Sequence, residues 1–138
     1  MRHAAAIIIL CVVAACATSS DGIPVLRQDC EARYDTIWVA AQTAVSRLGG
    51  TVVSANKGSG AILGRLESDI LGSAIDLHIN LSRLPDHQIG TQEPVTVEIK
   101  ATDPRVAEPD AHRVQELRSI EERYLELVGE RAPCGSTM

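Results

Sequence analysis

Strict alternation of apolar and polar residues in two segments constrains the fold more than any other feature of this chain. In AIDLHINLSRL, residues 74–84, every second residue is aliphatic, and PVTVEIKA, residues 94–101, repeats the pattern. Successive side chains of a strand point to opposite faces, so each segment is predicted to be a strand with one buried and one solvent-exposed face. Half-buried strands are typical of antiparallel sheets. We expect these two strands to pair as a hairpin across the polar loop 85–93.

A second hairpin is predicted just before them. TVVSAN, residues 51–56, and AILGRLES, residues 61–68, are rich in branched residues and flank the turn KGSG. The glycines of this turn also suggest a phosphate-binding loop. Such a loop joins a strand to a helix, however, and the residues that follow this one have the composition of a strand.

Helical periodicity occurs on both sides of the strands. Apolar residues spaced three and four apart predict a first helix over residues 35–48, capped by Asp35 and ended by Gly49 and Gly50. A second helix is predicted to start at Asp110 and end at Gly129, with its acidic and basic residues on the solvent-exposed face. These charged residues are Arg118, Glu121, Glu122, Arg123 and Glu126.

The predicted order of elements is therefore α-β-β-β-β-α. Two helices on one face of an antiparallel sheet would bury every apolar face at once, which gives a two-layer α+β sandwich. A chain of 138 residues has room for one such domain, which we place at residues 30–134, followed by a short tail at 135–138.

The first fifteen residues have the layout of a secretory signal peptide. Arg2 precedes an apolar run of twelve residues, which is shorter than the ~20 residues that a membrane-spanning helix needs. The end of this run, Val13-Ala14-Ala15-Cys16, resembles the lipobox of bacterial lipoproteins, in which the cysteine is acylated and the chain is cleaved just before it. The resemblance implies that Cys16 is the lipidated first residue of the mature protein, followed by a flexible linker up to residue 29.

Ala17 follows the cysteine in place of aspartate, which in such lipoproteins implies transport to the outer membrane of a double-membraned bacterium, with the domain facing the periplasm. Two alternatives remain for this segment. One is an ordinary signal peptide cleaved near Ala15 or Ala17. The other is a metal site formed by Cys11 and Cys16, although structural metal sites need about four ligands.

Cleavage and acylation would leave two cysteines, Cys30 and Cys134, one near each end of the domain. In an oxidising compartment such a pair predicts a disulfide. Two separate buried thiols are the alternative.

The stretch YDTIWVAAQTAVSRLGGTVVSANKGSGAILGRL, residues 34–66, resembles the start of small bacterial envelope lipoprotein domains of unknown function. It is more distantly similar to the helix-grip domains of the C-type lipoprotein of the outer-membrane β-barrel assembly machine. The resemblance extends over residues 34–128 as a pattern of elements. It implies a non-catalytic domain and assigns no functional residue.

The polar face of the central strands is the candidate site. Asp76, His78 and Asn80 share it, and Glu98 and Lys100 join them if the hairpin pairs as predicted. We interpret this face as an interaction surface. Asp76, His78 and Glu98 could alternatively bind a divalent metal or form a general base and its orienting partner. His87, in a polar loop, and His112, in the first turn of the second helix, are expected to be surface residues.

Composition narrows the choice of function. There is no Phe, one Trp and two Tyr, and 13 basic residues are scattered among 18 acidic ones, which disfavours nucleic acid as a partner. We expect no cofactor, metal or catalytic residue, and a structural or protein-interaction role at the membrane with an envelope protein as partner. A carrier of a small ligand or lipid, with a pocket lined by Leu77, Val97 and Val114, is the alternative, and a metal-dependent enzyme is a third.

Overall fold

A computed structural model describes residues 25–68, 73–83, 94–132 and residue 134. The described residues form seven elements, which are β1 (Leu26–Glu31), α1 (Tyr34–Arg47), β2 (Thr51–Asn56), β3 (Ala61–Ser68), β4 (Ser73–Arg83), β5 (Pro94–Thr102) and α2 (Ala111–Arg131). The predicted signal peptide, Cys16, most of the predicted linker, the whole loop 85–93 and the tail 135–138 lie outside them. Neither described helix combines the length and the apolar character that crossing a membrane requires.

The strands form one antiparallel sheet in the order β1-β5-β4-β3-β2. The predicted hairpins are present, with β2 paired to β3 and β4 paired to β5. Both helices pack on the face that carries the alternating aliphatic residues of β4 and β5, which confirms the α+β class. The helices bury most of that face, whereas the opposite face of the sheet carries no helix among the described elements.

The core between helices and sheet is built mainly from aliphatic side chains, together with Cys30, Trp38 and Tyr124. Tyr124 of α2 is completely buried and donates a hydrogen bond from its hydroxyl to the backbone oxygen of Ala41 in α1, at 3.0 Å. Gly64 of β3 allows α1 to lie close to the sheet, because a Cβ at this position would be 3.0 Å from Cγ1 of Val45. The two helices are thus fixed to each other and to the sheet.

The structure corrects two predicted helix ends. Asp35 lies in the first turn of α1 and does not cap it; the cap residue is Arg33, which makes no side-chain capping hydrogen bond. Gly129 does not end α2, which continues to Arg131, and it lies beside Cys134. The predicted cap at Asp110 is confirmed, since its carboxylate accepts a hydrogen bond from the backbone N–H of Arg113 at 2.8 Å.

The predicted linker, residues 16–29, overlaps the first strand of the sheet. β1 begins at Leu26 and pairs with β5 from Leu26 opposite Ile99 to Glu31 opposite Pro94. Leu26, Gln28 and Cys30 alternate toward the helices. Because Gln28 in the middle of this row is polar, the sequence does not show an apolar residue at every second position. The segment forms a strand through its pairing with β5.

The predicted pairing of the two cysteines is confirmed. Their sulfur atoms are 2.00 Å apart and their Cα atoms 3.9 Å apart, across a sequence separation of 104 residues. Residue 134 also forms an isolated antiparallel bridge with residue 30. The segment that follows α2 is therefore held against the outer edge of β1.

Candidate functional site: the open face of the sheet

All five residues predicted to form the interaction face lie on the side of the sheet opposite the helices, hereafter the open face. Ile75, Leu77 and Ile79 of β4 are buried against the helices, so the residues between and after them point the other way. Val97 and Ile99 are buried in the same manner in β5. Asp76, His78, Asn80, Glu98 and Lys100 consequently share one surface.

The strand register does not bring Asp76, His78 and Glu98 together. His78 lies opposite Lys100, Asn80 lies opposite Glu98, and Asp76 lies opposite Thr102. Asp76 and Glu98 are offset by four positions along the strands, roughly 13 Å at the usual rise of a strand. Within the described ranges, no group of three His, Cys, Asp or Glu side chains is arranged to hold a metal ion.

Each of the two carboxylates pairs with an arginine instead. Arg65 of β3 places Nε 3.1 Å from Oδ1 of Asp76, and Arg27 of β1 places Nε 3.1 Å from Oε1 of Glu98. Such partly exposed pairs typically contribute at most about 1 kcal/mol to stability. Their effect is to fix the orientation of charged side chains on two sides of the open face.

A depression of about 330 Å³ lies next to these ion pairs, over β2, β3 and β4. On the open face it is formed by Ala61 and by five larger side chains, which we call the neutral patch: Ser54, Asn56, Leu63, His78 and Asn80. None of the nine described residues that line the depression is Asp, Glu, Lys or Arg. The patch therefore offers hydroxyl, amide and imidazole groups around one half-buried leucine, without a fixed charge.

Three members of the neutral patch are absent from the sequence prediction. Leu63 lies directly opposite His78, and Ser54 lies opposite Leu63, because β3 pairs with β4 as well as with β2. The register of β2 shifts between Val52 and Ser54, which moves Ser54 and Asn56 onto the open face. Sequence alternation carries no signal for a shift of this kind.

β2 is the last strand of the sheet, and its outer edge has no neighbouring strand among the described elements. Five of its six residues are exposed, including Val53 at 50%. Backbone N–H and C=O groups at such an edge can pair with an added strand. The edge borders the neutral patch through Ser54 and Asn56.

Of the other candidate residues, His112 is exposed, with Nδ1 3.8 Å from Oε1 of Glu116, and His87 lies outside the described residues. The side chains proposed for a pocket between the layers are part of the packed core or its border. Leu77 and Val97 are 0% exposed, and Val114 is half-buried. Leu77 and Val97 belong to the core cluster, and none of the three residues lines the open face.

No family model matches this chain, and no curated protein sequence matches it. The open face therefore has to be interpreted from its own residues and their geometry.

Proposed function

We propose that this protein is a lipid-anchored lipoprotein of the cell envelope that has no catalytic role and docks a protein partner on its open face. The observation that carries the proposal is the neutral patch, which contains no Asp, Glu, Lys or Arg and is bordered by oriented ion pairs. Protein interfaces commonly have this organisation, with charged residues depleted at the centre and a polar rim.

Each part of the patch has a distinct use in docking. Leu63 supplies apolar area at the centre, and His78 and Asn80 supply hydrogen-bond donors and acceptors beside it. The ion pairs around them add electrostatic selectivity, since charges at an interface rim influence association and the choice of partner more than raw affinity.

The resemblance of Val13-Ala14-Ala15-Cys16 to a lipobox supports the proposed anchoring at Cys16. Acyl chains gain ~0.8 kcal/mol for each methylene buried in the membrane, so two or more chains hold a protein there stably. Mass spectrometry of the membrane fraction is expected to show a mature chain that begins at an acylated Cys16. A mature chain that begins elsewhere, with an unmodified thiol at this position, would contradict the anchor.

The docking proposal is tested by substitutions in full-length, affinity-tagged protein extracted in mild detergent. His78→Ala and Asn80→Ala remove exposed side chains of the patch, and Glu122→Ala removes an exposed side chain on α2 as the matched control. All three variants should unfold within about 0.5 kcal/mol of the parent protein, as exposed substitutions usually do. Only the two patch variants should lose the high-molecular-mass complex in size-exclusion chromatography.

Equal retention of the complex by all three variants would exclude the patch as the docking surface. Loss of the complex in the Glu122→Ala variant alone would move the interaction to the helical side of the domain.

A further inference from the structure

A second depression, of about 680 Å³, lies at the end of the sheet where the β2–β3 turn meets the last residues of β4. Its walls come from three separate parts of the chain: the first residue of α1, the turn after β2 and the end of β4. The lining residues are Tyr34, Lys57, Gly58, Ser59, Asn80, Leu81, Ser82 and Arg83.

Hydrogen bonds hold these walls together. The backbone N–H of Leu81 donates to the oxygen of Gly60 at 2.8 Å, and the hydroxyl of Tyr34 donates to the oxygen of Lys57 at 2.8 Å. Gly60 has a φ of +76°, and a Cβ there would lie 2.0 Å from the oxygen of Leu81. The turn is thus fixed to β4 on one side and to α1 on the other.

The lining residues that the structure describes include two cations and no carboxylate. The guanidinium carbon of Arg83 lies 4.0 Å from the centre of the Tyr34 ring, and no carboxylate in the described ranges forms an ion pair with this arginine. Lys57 places Nζ 2.5 Å from Oδ1 of Asp35, just outside the depression.

Among the described residues, the charges next to this depression are mainly positive, although the whole chain is acidic. Lys57, through its hydrogen bond and its charge, lowers the pKa of Asp35, and Arg83 and Arg33 lower it further. Three cations therefore act on one carboxylate here, in a chain whose formal net charge is -5. An anion is the kind of ligand that such a local excess of positive charge attracts.

We infer that this depression binds a phosphate group. Arg83 presents a planar guanidinium whose paired N–H donors match phosphate oxygens, and Lys57 adds a second charge. The hydroxyls of Ser59 and Ser82 are further donors in the same walls. The phosphate group belongs either to a soluble phosphate ester or to a phospholipid headgroup. The ligand of this site is a phosphate group, whereas the docking surface proposed above binds a protein.

The test uses full-length, ¹⁵N-labelled protein and follows backbone amide shifts by NMR. In one arm, the protein in neutral detergent is titrated with inorganic phosphate and with glycerol 3-phosphate. In the other arm, the protein is reconstituted in phosphatidylcholine nanodiscs with and without phosphatidylglycerol. We expect saturable shifts of the amide signals of Gly58, Ser59 and Ser82. Shifts in the first arm identify a soluble phosphate ester as the ligand, and shifts that require phosphatidylglycerol in the second arm identify a phospholipid headgroup.

The variants Arg83→Gln and Lys57→Gln should each weaken this binding about tenfold or more, as expected for loss of a charge-assisted hydrogen bond. Arg123→Gln, which removes one exposed positive charge from α2, should leave it unchanged. The amide spectrum of each variant reports whether it is folded. If Arg83→Gln does not fold, Lys57→Gln alone provides the test. Absence of saturable shifts in both arms, or equal weakening by Arg123→Gln, would overturn the inference.

Discussion

The carboxyl group of Glu121 lies in the contact between α2 and β5, where it is only 1% exposed. It accepts a hydrogen bond from the backbone of Ala101, and Nη1 of Arg118 is 3.8 Å from its Oε2. Burial raises the pKa of this carboxyl. The hydrogen bond from Ala101 and the charges of Arg118 and Lys100 lower the pKa, but their effect is smaller. The charge pattern of α2 predicts a solvent-exposed residue here. The prediction is wrong because Glu121 faces the end of β5, beyond the last residue that β1 pairs.

The raised pKa makes stability depend on pH. The folded protein holds the Glu121 proton more tightly than the unfolded chain, so the free energy of unfolding falls as pH rises from the ordinary glutamate range through the folded-state pKa. Glu121→Gln keeps an acceptor for Ala101 and removes the titration. Its free energy of unfolding in urea should therefore lack this decline as pH rises above the ordinary glutamate range.

Glu121→Ala is the companion variant, because it also removes the acceptor. The backbone N–H of Ala101 would then be left without this partner, at a cost of about 1–3 kcal/mol at every pH. If the parent protein and Glu121→Gln had parallel stability profiles across this pH range, the assignment of the titrating group to Glu121 would be wrong.

At the level of elements, the β2–β3 turn determines how the first hairpin meets β4. Gly60 has a positive φ and no space for a side chain, whereas Gly58, in the same turn, would place a Cβ 3.4 Å from Oδ1 of Asn56 as its nearest contact. The turn also forms one wall of the depression proposed to bind phosphate. Its two glycines therefore have different structural roles.

Gly60→Ala should destabilise the protein by about 2 kcal/mol or more, through backbone strain and collision with Leu81. Gly58→Ala, the matched control, should change stability by less than about 1 kcal/mol. Thermal unfolding of the two variants side by side provides the comparison. Equal melting temperatures would show that the turn is not held against β4.

The elements differ in how far the sequence predicts them. The bounds of β2 and β3 agree with the prediction, since branched residues end at clear turn signals, and α1 is shifted by one residue. β1 is missing from the prediction because its one polar inward residue, Gln28, breaks the apolar row. The residues of β4 and β5 that were predicted to lie on one face do share a surface. The alternation does not predict which residues of the neighbouring strands lie beside His78. These neighbours depend on the β3–β4 pairing and on the register shift at Val52.

At the scale of the whole molecule, the disulfide joins the first strand of the sheet to the segment after the last helix. It links residues 104 positions apart, and Cys30 is fully buried in the core. A cross-link over so long a loop restricts the unfolded chain strongly, and the chain-entropy treatment gives about 4–5 kcal/mol for loops of this length. The bridge is thus a large contribution for a domain of this size.

The double variant Cys30→Ala, Cys134→Ala should unfold at a markedly lower urea concentration, with a loss of about 2–5 kcal/mol. Adding a reducing agent should lower the unfolding midpoint of the parent protein and leave that of the double variant unchanged. A parent midpoint that does not respond to complete reduction, verified by thiol alkylation, would contradict a stabilising role for the bridge.

The same architecture separates the two sides of the domain. Both helices cover one face of the sheet, so docking at the open face requires no rearrangement of the core. The neutral patch and the exposed edge of β2 lie next to each other, and a partner could contact both. This arrangement makes the open face, rather than the helical side, the surface on which the proposed function depends.

Site-specific photo-crosslinking in intact cells tests that claim most directly. A photoreactive residue is placed at position 78 in the neutral patch, at position 98 in the flanking ion pair, and at position 122 on the exposed side of α2 as the control. We predict discrete adducts with an envelope protein from positions 78 and 98 and none from position 122. Adducts from position 122 alone, or no adduct from the open face in cells where the protein is membrane-anchored, would contradict the account.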